Sequence, residues 1–311
     1  MIEDCGAEFS RYGNWSLVEE LLRDEASSRL TLTRFAQPAI FAVQAGIAAV
    51  WRHWGIEPAA CVGHSVGEIA AAYVTGALSF EQACQVAFHR GRTMDLASSH
   101  GAMIAVGLSR LELESWLAKA GPNISVAAVN GPTSLTLSGA ARDIEQLASQ
   151  LEEAGIFCRR LTVEYAFHSP LMEPVRDELL SALADLTPQP TTVPLFSTVT
   201  GGAIDGPSLA ADYWWQNVRE PVLFADAMAC LATLGTRLAI EIGPHPVLAY
   251  AINECFQASG QTVETLPSLH RERDDVDSML NSFGPTVSTT IPCSECLSPA
   301  GTVSIRVTVT C

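Results

Sequence analysis

Apolar residues recur at helical spacing from Gln37 to Trp54, with Pro38 at a helix-start position and Gly55 where the pattern stops, which predicts a buried helix. A short apolar run, Ala59 to Val62, follows and leads directly into Gly63-His64-Ser65-Val66-Gly67, then into an Ala-rich helical stretch that closes near Gly76. That order predicts strand, tight turn, helix. Ser79 and Gln82 have capping-box spacing for the next helix, which carries Arg90 and Arg92.

The pattern changes at Ala102. A strand to Val106, a helix capped by Ser109 and Glu112, two short strands around Asn130-Gly131-Pro132, a helix ending at Gly155 and a final strand make a β-α-β-β-α-β order. This is the ferredoxin-like arrangement, inserted into a longer α/β chain. Beyond it, a strand near Val193 to Val199, a turn at Gly201-Gly202, a helix from Val222 to Leu234, a strand Leu238 to Ile242 and a helix begun by Pro246 predict a parallel sheet covered on both faces. Past Ser282, Ser, Thr, Pro and Cys dominate and no helical period continues, so this stretch reads as a linker and irregular tail. The expected organisation is a large α/β subdomain over residues 1–101 and 166–270, a ferredoxin-like subdomain over 102–165, and a tail over 271–311.

Charge removes some function classes. The chain has 311 residues, a formal net charge of −16 and a pI near 4.8, with no basic patch to hold phosphates, which argues against nucleic acid as a partner. No stretch approaches the ~20 apolar residues of a membrane span, and the first residues lack a secretory pattern, so no membrane association and a cytoplasmic location are expected. Nine cysteines are mostly isolated in apolar surroundings, as at Cys61, Cys84, Cys158 and Cys230. Cys293 and Cys296 form one CxxC without a second ligand pair at suitable spacing, so no metal is expected.

The glycine-flanked Ser65 carries the strongest chemical signal. Two small residues permit the strained turn that lifts a serine hydroxyl clear of a sheet, and the amide of Val66 at the helix N-terminus can stabilise an oxyanion. Such a serine needs a base. His64 adjoins it and is badly placed to reach the hydroxyl. His53, His89, His100 and His270 read as surface-leaning, which leaves His168, at a strand end before Ser169-Pro170, and His245, at a βα turn, with His168 ahead.

The run Gly63-His64-Ser65-Val66-Gly67-Glu68-Ile69-Ala70-Ala71-Ala72-Tyr73 resembles the nucleophile motif of malonyl-CoA:acyl-carrier-protein transacylases and polyketide synthase acyltransferase domains. Segments Phe35 to Ala39, His89 to Arg92, Ala128 to Pro132, Tyr165 to Pro170, Tyr213 to Val222 and Ile242 to Leu248 are similar to family segments in the same order, over residues 1 to 283. The resemblance implies an α/β-hydrolase-like large subdomain with a ferredoxin-like small one. It makes Ser65 the acylated nucleophile and His168 its base, the imidazole being oriented by a backbone carbonyl near Leu234. Arg90 matches the arginine that grips a substrate carboxylate, for which a planar guanidinium is chemically apt; Arg92 faces elsewhere and reads as solvated. Gln37, Asn130 and His64 match site-lining positions.

The implied reaction moves a malonyl group from coenzyme A through Ser65 to the phosphopantetheine thiol of an acyl carrier protein, within a multidomain synthase and without further cofactor. Val66 and Phe167 stand where relatives selecting methylmalonyl tend to carry Gln and Ser, so malonyl is the expected substrate. A serine esterase or thioesterase, and an inactive remnant, are the alternatives. The resemblance also implies a buried strand and a Gly-Gln-Gly turn upstream of Met1, whose glutamine amide completes the oxyanion hole. Without them, unpaired strand edges, poor solubility and slow acylation are expected of the chain by itself.

Overall fold

The computed structural model describes residues 1–97, 101–120, 123–290 and 307–310. Two short helices, α1 (Ile2–Phe9) and α2 (Leu17–Leu21), precede the long helix α3 (Thr33–His53). Strand β1 (Pro58–Val62) runs into the Ser65 turn, followed by α4 (Gly67–Val74) and α5 (Phe80–Leu96). The Ser79 and Gln82 capping box is formed at the start of α5.

Helix α3 starts five residues before the proline that the sequence pattern takes as its start, so Pro38 lies in its interior. Its side chain is buried, and Gly91 of α5 packs directly against this turn. A Cβ on Gly91 would lie 2.9 Å from the Thr33 carbonyl oxygen and 3.2 Å from Pro38 Cδ. The missing side chain therefore lets α3 and α5 approach closely at the level of Gln37 and Arg90.

The small sheet consists of β2 (Gly101–Val106), β3 (Ile124–Gly131), β4 (Ser134–Ala140) and β5 (Cys158–Arg160), with α6 (Arg110–Ala120) after β2 and α7 (Ala141–Glu153) after β4. Its order is β3-β4-β2-β5, antiparallel throughout, which is the ferredoxin-like arrangement. Ile144, Leu147, Ala148 and Leu151 of α7 are buried at i, i+3, i+4, i+7 spacing and form the core of this unit with Ile104, Leu135 and Leu137. The capping pair Ser109 and Glu112 is in place at α6.

The chain returns to the large unit through a 3₁₀ turn at Pro170–Val175, then α8 (Arg176–Ala182), β6 (Leu195–Ser197), β7 (Gly202–Ile204), a second 3₁₀ turn at Gly206–Ser208 and α9 (Ala211–Arg219). There follow α10 (Phe224–Ala232), β8 (Leu238–Glu241), α11 (Ala249–Ala258), β9 (Glu264–Pro267), α12 (Asp275–Thr290) and β10 (Val307–Thr310). Two of these elements begin later than the sequence pattern predicts. Val222 is outside α10 because its backbone bonds the small sheet, its N–H donating to Ala127 O at 2.9 Å and its carbonyl accepting from Val129 N at 2.8 Å. Pro246 is outside α11 because the amides of Val247 and Leu248 bond the carboxylate of Glu241 at 2.6 and 3.0 Å, holding a turn instead.

The large sheet has the order β7-β6-β1-β10-β8-β9, parallel except for the β6-β7 hairpin. Two expectations are corrected here. The stretch read as a linker and irregular tail, residues 271–311, contains all of α12 and β10, and the edges of β1 and β8 are not left open, because β10 pairs with both. The reason is physical: two strands that share no direct bond must find a partner for their facing N–H and C=O groups, and Val-Thr-Val-Thr is a β-branched quartet suited to provide it. Cys293 and Cys296 lie outside the described residues. Among the described residues no helix is long and apolar enough to cross a membrane.

Deleting residues 291–311 removes β10 and opens the slot between β1 and β8. The truncated protein is expected to melt at a lower temperature and to self-associate in size-exclusion chromatography. A truncated monomer with an unchanged melting temperature would show that β10 contributes nothing to the sheet.

Candidate active site

Ser65 and His168 are the two non-glycine residues with positive φ among the described residues, at 55° and 56°. Such conformations cost free energy and persist where surrounding contacts enforce them. At Ser65 the enforcement is visible. A Cβ on Gly63 would sit 2.2 Å from the amide nitrogen of Glu68, so only glycine allows β1 to turn this tightly into α4. The amides of Gly67, Glu68 and Ile69 then bond back to the carbonyls of His64, Ser65 and Val66 at 3.0 to 3.1 Å. Val66 is the N-cap residue of α4, so its amide is at the positive end of the helix dipole beside the serine.

The Ser65 hydroxyl meets two side chains. Its Oγ is 2.9 Å from His168 Nε2 and 3.1 Å from Arg90 Nη2. The roles are fixed by the other ring nitrogen: Nδ1 of His168 lies 2.9 Å from the carbonyl oxygen of Glu220, so Nδ1 carries the proton and Nε2 accepts one from Ser65. Arg90 donates to the same Oγ. A proton can thus leave the hydroxyl for the imidazole while a cation steadies the oxygen left behind. The carbonyl that orients His168 belongs to Glu220, not to the neighbourhood of Leu234. Leu234 follows the far end of α10, whereas the backbone of His168 is bonded to Val218 at the end of α9, two residues before Glu220.

Burial pushes the pKa of His168 down, the charge of Arg90 pushes it further, and the bond to Glu220 opposes both, leaving it at about 3. The imidazole is therefore neutral and able to accept a proton across the ordinary histidine range. His245 does not join this group. It packs edge-on against His270 with ring centres 4.6 Å apart, and its Nδ1 faces the amide of Arg271 at 3.4 Å.

Arg90 is 1% exposed, and its hydrogen bonds go to neutral acceptors: Nε to Asn217 Oδ1 at 2.9 Å, Nη1 to Gln37 Oε1 at 2.5 Å and Nη2 to Ser65. Gln37 is anchored in turn through Nε2 to Thr33 Oγ1 and Met94 Sδ. Burial lowers the Arg90 pKa to about 10, and the charge of Glu68 works against that shift. Arg92, by contrast, makes a surface ion pair with Glu178.

His64 turns away from Ser65. Its Nε2 donates to Asn130 Oδ1 at 2.8 Å, and its ring packs near Phe224. Asn130 also donates to Thr136 Oγ1 at 3.2 Å, so this pair ties the turn after β1 to the small sheet. Phe167, half-buried beside His168, stacks on Tyr165 with centroids 5.0 Å apart and planes 8° apart, and the Tyr165 hydroxyl donates to Asp95 at 2.6 Å. Of the sequence-derived set, Ser65, His168, Arg90 and Gln37 form one bonded cluster, Val66 and Phe167 flank it, and His64 with Asn130 forms a separate pair at its edge.

Sequence reasoning passed over Asn217. It is 2% exposed and bonds Arg90, the backbone carbonyl of Ser65 and the carboxylate of Glu68. The available signal was an amide pair, Gln216-Asn217, in the aromatic, amphipathic stretch Tyr213 to Val218, of which Asn217 is the buried member.

Labelling of Ser65 by a fluorophosphonate is expected to stay flat through the ordinary histidine range around pH 6.5, because His168 loses its proton well below it. In Arg90→Ala the loss of a neighbouring positive charge raises the His168 pKa, and the acid limb moves upward. A half-maximal rate near pH 6.5 in the unaltered protein would contradict the assignment of this imidazole.

Residues 1–290 match the acyl transferase domain family. Polyketide synthase GfsA of Streptomyces halstedii is 40% identical over 290 residues, covering 91% of this chain and 4% of that protein. Erythronolide synthase EryA2 of Saccharopolyspora erythraea is 38% identical over 284 residues, covering 91% and 8%. The chain thus spans a small part of the curated relatives it matches. Among solved structures, the acyltransferase domain from module 8 of the salinomycin polyketide synthase superposes with a TM-score of 0.89 at 35% identity, covering 94% of this chain and 69% of that one. A malonyl CoA-acyl carrier protein transacylase from Clostridium perfringens shares the fold, with a TM-score of 0.79 at 23% identity over 92% of this chain and 90% of that one. The chain belongs to the acyl transferase domain family and is an acyltransferase domain of the polyketide synthase kind.

Proposed function

We propose that Ser65 carries a malonyl group from coenzyme A to the phosphopantetheine thiol of an acyl carrier protein, with His168 as general base and Arg90 as the anchor of the malonyl carboxylate. The observation that carries this reading is a buried guanidinium whose bonded partners are all neutral, held on the nucleophile's own oxygen. Three of its five N–H groups are engaged, which leaves one on Nη1 and one on Nη2, the pair that receives a carboxylate side by side.

In the first half-reaction the Ser65 proton passes to His168 Nε2 and Oγ bonds the thioester carbonyl carbon. The oxyanion faces the Val66 amide. The carbon–sulfur bond then breaks, and coenzyme A leaves as a thiol with the proton returned by His168. In the second, the carrier's thiol gives its proton to His168, sulfur attacks the acyl-serine, and Ser65 recovers its hydrogen as the ester bond breaks. The carrier protein and the neighbouring domains of a multidomain synthase are the proposed partners, consistent with the size of the relatives.

Malonyl is the proposed acyl group in preference to methylmalonyl. Phe167 is held by its stack on Tyr165 next to His168, where a phenyl ring crowds an α-methyl group. One methyl group is worth about 1–3 kcal/mol in a pocket, so a preference of tens-fold to hundreds-fold is expected rather than exclusion.

Incubation with each acyl-CoA, followed by mass spectrometry of the Ser65 peptide, tests both parts. Malonyl adducts are expected to form faster than methylmalonyl adducts, and Phe167→Ser to narrow the gap; equal labelling by the two thioesters would sink the preference. Arg90→Ala leaves a substrate carboxylate unpaired at a cost of about 2–5 kcal/mol, so the ratio of malonyl to acetyl transfer is expected to fall about 30-fold or more. If both transfers fall together, Arg90 does not bind the carboxylate.

A further inference from the structure

Helix α4 is apolar on every side except at Glu68, whose side chain is 3% exposed. A charge buried on an otherwise apolar helix must be matched by donors. Oε1 accepts from the backbone amide of Thr198 and from Thr198 Oγ1 at 2.8 Å; Oε2 accepts from the Tyr213 hydroxyl at 2.6 Å and from Asn217 Nδ2 at 2.8 Å. The Tyr213 proton points to Glu68 because the same oxygen lies 2.8 Å from Ser197 Oγ, which accepts from the amides of Val199 and Thr200 and therefore gives its own proton to Tyr213. Every partner of the carboxylate donates, as an ionised group requires. Burial pushes the Glu68 pKa up and these bonds oppose that rise.

The network has a fixed polarity. Asn217 turns Nδ2 to Glu68 and to the carbonyl of Ser65, and Oδ1 to Arg90 Nε. Flipping the amide would set an N–H against the guanidinium and an oxygen against the carboxylate. The two charges thus lock the amide, and the amide holds both Arg90 and the strained serine turn.

We infer that Glu68 is a positioning residue for carboxylated acyl groups: it is the counter-charge of Arg90, delivered through Asn217 rather than by contact. A carboxylate in direct contact would occupy the Nη1 and Nη2 protons and compete with the substrate. One residue away, it balances the buried cation and fixes its aim while leaving those protons open. This inference rests on the reading of Arg90 as the carboxylate anchor.

The test compares malonyl-CoA with acetyl-CoA in Glu68→Gln, which keeps the shape and removes the charge, and in Asn217→Ala, which keeps both charges and cuts the link. In each, the malonyl-to-acetyl ratio of kcat/KM is expected to fall about tenfold, through a higher KM for malonyl-CoA in Glu68→Gln, with a folded melting profile. An equal fall for both substrates in either folded variant would make Glu68 a structural residue and overturn the inference. Arg90→Ala separates the two readings. If it lowers the ratio and the other variants do not, only the role of Glu68 falls; if it leaves the ratio untouched, both readings fall.

Discussion

A guanidinium with almost no exposed surface must be solvated by the protein around it, and the site is organised by how this chain does so for Arg90. Its neutral partners come from distant places: Gln37 from α3, Asn217 from α9 and Ser65 from the turn after β1. Moving any one of these elements would strand a buried cation, which is costly by several kcal/mol. The packing of three helices is thereby coupled to the position of one hydroxyl.

The end of α9 is where these constraints converge. Asn217 holds Arg90 and the Ser65 carbonyl, Val218 O receives the amide of His168, and Glu220 O orients its imidazole. Val222, two residues on, is bonded into β3 of the small sheet, and Asn130 at the end of β3 reaches back to His64. The ferredoxin-like unit is therefore attached to the same segment that sets the base.

The positive φ values of Ser65 and His168 belong to the same arrangement. The hydroxyl and the imidazole meet at 2.9 Å with both backbones turned sharply at the residue that carries the group. At Ser65, Gly63 and the first amides of α4 hold the turn. At His168 the hold comes from the Val218 carbonyl and from Ser169, whose hydroxyl donates to Ala166 O at 2.6 Å and accepts from the amide of Leu171.

Local patterns settled much of this in advance. The glycines around Ser65, the capping pairs Ser79 with Gln82 and Ser109 with Glu112, and the i, i+3, i+4, i+7 face of α7 act over a few residues, so they are legible from the order of residues alone. The same is true of the alternation of strands and helices that places one α/β unit inside another. What the chain order could not disclose were interactions between residues far apart. Spacing puts His168 only modestly ahead of His245 as the base, and it is the docking of α9 beside His168 that decides between them. Asn217 is an unremarked amide until Arg90 arrives from 127 positions away. Val307–Thr310 reads as tail until two strands with unpaired backbone groups face each other across the width of one strand. In each case the deciding term is the satisfaction of a buried donor, acceptor or charge, and that requirement exists only once the tertiary structure has excluded water.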